Sequence, residues 1–249
     1  MEITSVNNEL IKETAKLQQK KYRNQSGKFL LEGYKAIKEA FDCGIELESV
    51  FVEKNKTSEY NFVKNSIIET TKAVLKKLST TDSAPEAIAV GGQKIYDKNA
   101  LKKAQKVVLL EDIKDLGNLG TIIRSSLAFG ADALVIYGEA VDIYNPKCVR
   151  SSVGNLWKLP IIQIKDLEEL KEMFNNFERV ATLPRAKNLL KGFKSPLPCL
   201  VMFGSEANGL SEDLIEFSTS SVKIEMAETV ESLNLATSVS VILYELFVD

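Results

Sequence analysis

The chain has 249 residues, of which 45% are hydrophobic and 27% charged, and its formal net charge of −2 offers no global attraction for nucleic acid. This length suits one large or two medium domains, and no apolar run approaches the roughly 20 residues that span a bilayer. The absence of histidine excludes a Ser-His-Asp triad, a Cys-His pair and a histidine general base.

The first 92 residues alternate short helices and strands, which predicts a small α/β domain. Apolar residues at helical spacing predict an amphipathic helix over residues 9–20. The elements predicted after it are strands at residues 29–31, 49–52 and 86–90, and helices at residues 34–41 and 73–78.

A basic stretch overlaps the end of the first predicted helix. Its cations, in a run without acidic residues, are Lys16, Lys20, Lys21, Arg23 and Lys28. Clustered cations bind phosphates, so this stretch is a candidate phosphate-binding surface. A solvated basic helix face followed by a turn is the alternative interpretation.

Residues 93–105 are polar, and we interpret them as a linker to a second domain over residues 106–249. The strands predicted in this domain are apolar runs, typical of strands buried on both faces, at residues 107–110, 133–137, 159–164, 179–182, 199–203 and 221–224. Helical patterns between most of them predict a parallel, doubly wound sheet. A final helix, residues 235–248, carries an apolar stripe that suits packing on the sheet or on a second copy.

The first of three polar turns in this domain brackets Asn118 with Gly117 and Gly120. These glycines permit tight or left-handed backbone and the close approach of a ligand. Helix N-capping is the alternative role for Asn118. Arg124 lies about two helical turns further on among apolar neighbours, which predicts a partly shielded guanidinium that binds phosphate, with a solvated face as the alternative.

The second turn places Glu206 between two glycines, and Ser211 after it is a predicted N-cap. A carboxylate at a strand end needs hydrogen-bond donors, so Glu206 is a candidate for holding a cation or orienting Asn118, with an exposed loop glutamate as the alternative. The third turn carries Ser232 and Asn234, and capping explains one of them more readily than both. Because open α/β sheets bind ligands beyond the carboxyl ends of their strands, the three turns predict a small-molecule site.

Neither a metal site nor a dinucleotide site is indicated. Cys43, Cys148 and Cys199 lie far apart without paired spacing, which argues against zinc and against a disulfide framework. The spacing of Gly117 and Gly120 is not a Gly-x-Gly-x-x-Gly fingerprint.

The three turns resemble, in order and spacing, the signature motifs of the SpoU/TrmH family of RNA ribose 2′-O-methyltransferases, in the SPOUT class. The motifs are residues 118–124, residues 203–211, and residues 224–226 with 231–236. The family usually has proline where this chain has Leu116, which loosens the turn before Asn118. Residues 28–33 and 50–52 also resemble the ribosomal-protein-like α/β substrate-binding domain of members that modify ribosomal RNA.

The resemblance implies a C-terminal trefoil knot, a homodimer, and S-adenosylmethionine bound within the knot without a metal. The positions matched to the cofactor site are Gly204, Ile224, Met226 and Leu233, and those matched to the polar active site are Asn118, Arg124, Glu206, Ser232 and Asn234. The family's usual proposal makes the matched arginine a base. A guanidinium stays protonated in proteins, so we expect Arg124 to bind a phosphate and stabilise oxyanion charge instead.

We therefore expect a cytoplasmic methyltransferase that acts on a ribose 2′-hydroxyl of 23S ribosomal RNA, with no membrane or DNA partner. We expect the RNA to contact Lys16, Lys20, Lys21, Arg23 and Lys28 in a substrate-binding domain over residues 1–92. The alternatives are transfer RNA as substrate, a non-catalytic RNA-binding protein of the same fold, and a nucleotide-binding α/β protein unrelated to RNA.

Overall fold

The computed structural model of the chain describes residues 1–139 and 141–248. The α-helices are α1 (Glu9–Lys16), α2 (Lys20–Ser26), α3 (Tyr34–Asp42), α4 (Lys72–Leu78), α5 (Leu116–Ala128), α6 (Pro146–Ser151), α7 (Leu167–Phe174), α8 (Glu212–Phe217) and α9 (Leu235–Phe247). The strands are β1 (Glu2–Ile3), β2 (Lys28–Glu32), β3 (Leu47–Glu53), β4 (Ile67–Thr70), β5 (Ala87–Gly92), β6 (Lys106–Glu111), β7 (Ala133–Tyr137), β8 (Ile161–Ile164), β9 (Glu178–Thr182), β10 (Asn188–Leu189), β11 (Cys199–Phe203) and β12 (Ser220–Lys223). Two 3-10 helices span Lys54–Ser66 and Lys98–Lys103.

The chain divides into two compact units that are not continuous in sequence. The first contains Met1–Lys94 and Asp142–Trp157, and the second contains Ile95–Val141 and Lys158–Asp249. A single boundary at the predicted linker, residues 93–105, therefore does not describe the segment from Asp142 to Trp157, which packs in the first unit.

The first unit is built on a 5-stranded mixed sheet in the order β1-β4-β3-β5-β2. Strand β5 runs antiparallel to β2 and β3, while β4 runs parallel to β1 and β3. The predicted helix over residues 9–20 is two helices, because α1 ends at Lys16 and α2 begins at Lys20. Strand β4 and the 3-10 helix before it were not predicted, because β4 is only four residues long and the 3-10 helix contains few apolar residues.

Aromatic and ionic contacts hold the later segment in the first unit. The ring of Phe29 on β2 lies 4.6 Å from that of Tyr144 and 5.9 Å from that of Trp157, measured between centroids. Arg150 on α6 donates to the Glu32 carboxylate at 3.0 Å. Phe29 and Trp157 are both buried, so this segment supplies part of the core that β2 packs against.

The second unit is built on a 7-stranded sheet in the order β10-β12-β9-β11-β6-β7-β8. Each of its strand pairs among the described residues is parallel, as the sequence predicted. The two-residue edge strand β10 was not predicted, because both of its residues are exposed and carry no apolar pattern. The central strands β6 and β11 are almost wholly buried, and their carboxyl ends lead directly into the first two polar turns.

None of the helices in the described part of the chain combines the length and the apolar character that crossing a bilayer requires.

Candidate functional site

The first polar turn is the start of α5. Asp115 is the N-cap, and its carboxylate accepts a hydrogen bond from the backbone N–H of Asn118 at 2.7 Å. The alternative role of Asn118 as N-cap is therefore wrong. Gly117 and Gly120 lie inside the helix without positive φ, so neither glycine uses the left-handed conformation that was one of the two options for this turn. An aspartate three residues before Asn118 was the sequence signal for the true cap.

Asn118 joins the three polar turns through its side-chain amide. Its Nδ2 donates to Oε1 of Glu206 at 2.8 Å, and its Oδ1 accepts from Nδ2 of Asn234 at 3.0 Å. The amide is thus fixed by one acceptor from the second turn and one donor from the third. The predicted role of Glu206 in orienting Asn118 corresponds to this first hydrogen bond.

The second turn is a tight reversal at the end of β11. Ser205 and Gly209 exchange backbone hydrogen bonds of 3.1 and 2.9 Å, and Gly209 has a φ of +68°. A Cβ on Gly204 would lie 1.9 Å from the carbonyl carbon of Gly209 and 2.0 Å from the nitrogen of Leu210. Only glycine therefore fits at position 204 while the reversal keeps Glu206 next to Asn118.

The helix after this turn begins as predicted, with Ser211 as the N-cap of α8. The backbone N–H of Ser211 donates to Oε2 of Glu111 at 2.7 Å. Glu111 is a buried carboxylate at the end of β6 and was not among the predicted site residues. It links the strand before the first turn to the helix after the second.

In the third turn, Asn234 has two functions. Its Oδ1 accepts from the backbone N–H groups of Ala236 and Thr237 at the start of α9, and its Nδ2 donates to Asn118. Ser232 is not the cap of α9, so capping accounts for one of the two residues, as expected from the sequence.

A cavity of about 500 Å³ opens beside this hydrogen-bonded group, within the range typical of small-molecule sites. All four residues matched to a cofactor site line it, namely Gly204, Ile224, Met226 and Leu233, and so do the predicted catalytic residues Glu206, Ser232 and Asn234. Thr182 at the end of β9, with Leu183 and Pro184 after it, forms a further wall that was not predicted.

Arg124 lies on α5 and is exposed, so the predicted shielding by its apolar neighbours is wrong. Ile122 and Ile123 instead point into the core, because successive helical residues face different directions. Within the described residues the guanidinium has no hydrogen-bond or ion-pair partner in the protein. It is available to an anionic ligand from solvent.

Of the five cations predicted to contact RNA, the structure buries one and leaves four at the surface. Arg23 is 1% exposed, and its guanidinium bonds the Asp142 carboxylate and the Leu17 carbonyl. The prediction for Arg23 is therefore wrong, because a buried and fully engaged guanidinium cannot reach a phosphate. Asp142 lies 119 residues away, so no local pattern revealed this pairing.

The other four cations remain at the surface. Lys20 and Lys21 on α2 are exposed. Lys16 is ion-paired with Glu13 at 2.6 Å, and Lys28 is ion-paired with Glu48. With the Arg23–Asp142 pair included, carboxylates from outside the basic stretch thus pair with three of its five cations.

Cys148 and Cys199 are poor nucleophiles in this fold. Burial raises the pKa of the Cys148 thiol to about 12 and that of Cys199 to about 11, and the thiolate is the reactive form. No group of three or more His, Cys, Asp or Glu side chains in the described chain is arranged to hold a metal ion.

Comparison with known proteins decides the family. The SpoU rRNA methylase family matches residues 105–244, and an MRM3-like substrate binding domain matches residues 8–89. The chain belongs to the SpoU rRNA methylase family. It is 34% identical to an uncharacterized tRNA/rRNA methyltransferase of Synechocystis sp., over 98% of this chain and 92% of that protein.

Two further relatives carry more specific names. The 23S rRNA (uridine(2479)-2′-O)-methyltransferase of Streptomyces viridochromogenes is 30% identical over 98% of this chain and 90% of its own. The crystal structure of the SpoU methyltransferase AviRb from the same organism, in complex with AdoMet, superposes with a TM-score of 0.85 at 26% identity, covering 96% of this chain and 97% of that one. This SpoU chain is an S-adenosylmethionine-dependent RNA methyltransferase with the α/β fold and parallel sheet of its family.

Proposed function

We propose that this SpoU methyltransferase transfers a methyl group from S-adenosylmethionine to a ribose 2′-hydroxyl of 23S ribosomal RNA. The observation that carries the proposal is the Asn118 amide, hydrogen-bonded to both Glu206 and Asn234 at the edge of the cavity. It supports the assignment because one side chain from each motif meets at one point.

The cavity walls suit the donor. Gly204, Ile224, Met226 and Leu233 would hold it, with the adenosine part against main-chain groups of the turns. The donor supplies an activated methyl group on a sulfonium. The mixed apolar and polar lining fits a molecule of this kind.

The remaining residues would position the acceptor. Methyl transfer is an in-line displacement, and alignment supplies a large part of the rate without a metal or a histidine. Glu206 and Asn234 would hold Asn118 rigid. Ser232 lines the same cavity and would form a hydrogen bond with the sugar. Arg124 would bind the phosphate next to the target ribose and stabilise charge that develops on the 2′-oxygen as its proton passes to solvent water.

We also propose that the C-terminal part of the chain threads a trefoil knot and that the protein is a cytoplasmic homodimer. The match of residues 105–244 to the SpoU rRNA methylase family, for which the resemblance of the motifs implies a knot, supports the knotted topology. Exposed apolar side chains on α9 support the dimer, because Val241 and Tyr244 are 41% and 59% exposed.

The proposed function is tested by incubating the purified protein and labelled S-adenosylmethionine with ribosomal and transfer RNA from cells that lack the gene. We expect a single ribose methylation in 23S ribosomal RNA, located by nucleotide-resolution mapping. Calorimetry with S-adenosylhomocysteine is expected to detect one site per chain. Methylation of transfer RNA alone, or of neither RNA, would contradict the proposal.

We further propose that the first unit binds RNA through the exposed cations of α2. Replacing Lys20 and Lys21 together with glutamine is expected to make the dependence of log Ka for RNA on log salt shallower by about 1.4 to 1.8, because each phosphate contact contributes a slope near 0.7–0.9. The measurement is fluorescence anisotropy over a salt series.

Lys54→Gln with Lys64→Gln is the matched control, since both lysines belong to the 3-10 helix of the same unit. An equal slope for the two double variants would mean that Lys20 and Lys21 are ordinary solvated surface residues.

A further inference from the structure

A second basic surface lies in the catalytic unit, in the residues that follow β9. Residues 185–194, here called the basic segment, carry Arg185, Lys187, Lys191 and Lys194. The sequence has no aspartate or glutamate between Glu178 and Glu206. All four cations are exposed, and among the described residues none of their side chains has a hydrogen-bond or ion-pair partner.

The basic segment has a fixed backbone. Strand β10 within it pairs in parallel with β12, and the amide of Asn188 donates to the Ser221 carbonyl at 3.0 Å. Further along, the N–H of Leu190 donates to the carbonyl of Lys223 at 2.8 Å, and the N–H of Gly192 donates to the Glu245 carboxylate at 3.1 Å. The cations are therefore presented from an ordered sheet edge.

This edge adjoins the cofactor cavity. Leu183 and Pro184 line the cavity, and Arg185 is the next residue. Lys223 also lines it and lies opposite Leu189 in the strand register. The basic segment thus begins at the wall of the pocket in which the methyl donor would sit.

The neighbouring acids do not neutralise this charge. Glu225 and Glu245 line a shallow cavity together with Lys191, and neither carboxylate lies within ion-pair distance of it. With Lys223 included, the cations outnumber these two carboxylates. In the N-terminal basic stretch, by contrast, Lys16 and Lys28 are ion-paired.

We propose that the basic segment binds the phosphate backbone of the RNA on the side of the target ribose. The inference rests on the proposed function. The four cations are spread along ten residues of chain, which suits a linear polyanion better than a single small anion. Uncompensated surface cations contact phosphates without reading bases, so the segment places the RNA at the cavity without selecting its sequence.

The test is RNA binding in the absence of S-adenosylmethionine, measured over a salt series with a 23S ribosomal RNA fragment. For the variant with all four cations changed to glutamine, we expect the slope of log Ka against log salt to become shallower by about 3. The pair Arg185→Gln and Lys187→Gln is expected to account for about half of that change. Affinity at 0.15 M salt should fall at least about tenfold.

The matched control is Lys102→Gln with Lys103→Gln. These exposed lysines lie on the 3-10 helix that precedes β6. They are therefore at the amino ends of the strands, and the three turns are at the carboxyl ends. The control should keep the wild-type slope, and calorimetry with S-adenosylmethionine should give unchanged affinity for every variant.

The outcomes separate this inference from the proposed function. If wild-type protein methylates 23S ribosomal RNA and the quadruple variant keeps its salt slope, the basic segment does not bind the phosphates and the inference is overturned. If wild-type protein neither binds nor methylates ribosomal RNA, the proposed function fails and this inference fails with it.

Discussion

Replacing Arg124 with alanine is expected to slow methyl transfer about 100-fold or more while leaving the affinity for S-adenosylmethionine within about twofold of wild type. The magnitude is that of removing one group that stabilises developing oxyanion charge. Arg124 is exposed, has no partner among the described residues and is not part of the cavity wall. Its loss should therefore affect the acceptor and leave the donor site intact.

The rate is measured in single turnovers with saturating RNA and donor, and donor affinity is measured by calorimetry. Arg124→Lys is the matched variant, because it keeps the positive charge and loses the fork that binds a phosphate through two hydrogen bonds. We expect Arg124→Lys to recover part of the lost rate. Loss of donor binding in Arg124→Ala would show that the residue belongs to the cofactor site.

Gly204→Ala is expected to lower the free energy of unfolding by about 3 kcal/mol, at the upper end of the range for overpacking. The added Cβ would lie 1.9 Å from the carbonyl carbon of Gly209 and 2.2 Å from its oxygen. Both are backbone atoms held by the Ser205–Gly209 hydrogen bonds, so no side chain can rotate away to make room. The turn must open, and Glu206 then leaves Asn118.

Thermal unfolding and calorimetry check this expectation. The midpoint should fall by roughly 10 °C, at about 2–4 °C per kcal/mol for a chain of this size, and the variant should no longer bind S-adenosylmethionine at concentrations that saturate wild type. Gly92→Ala is the matched control at a strand end, because nothing lies closer than 4.0 Å to its added Cβ. A folded, donor-binding Gly204→Ala protein would contradict the geometry of the second turn.

The two basic surfaces show that a charge pattern in the sequence does not predict which cations stay exposed and unpaired in the fold. Counting cations along the sequence favoured residues 16–28, yet the fold buries Arg23 and pairs Lys16 with Glu13. The basic segment was not predicted to bind RNA, because its cations are spread between apolar residues. Whether a lysine is uncompensated depends on which carboxylates the fold brings near it.

The domain boundary illustrates the same dependence on distant contacts. The segment from Asp142 to Trp157 follows β7 of the parallel sheet and contains nothing in its own sequence that assigns it to another unit. Phe29 and Glu32 on β2, more than a hundred residues earlier, supply the partners that hold it in the first unit.

The sequence by itself determined six of the seven strands of the parallel sheet and the three polar turns with their polar side chains. Buried parallel strands need continuous apolar runs, and turns need glycine and capping residues, so both leave local patterns. Only the tertiary structure decided that Asn118 lies between Glu206 and Asn234, which are 88 and 116 residues away. It also decided which cations stay uncompensated, because a pairing between distant residues depends on how the chain folds back and leaves no local pattern.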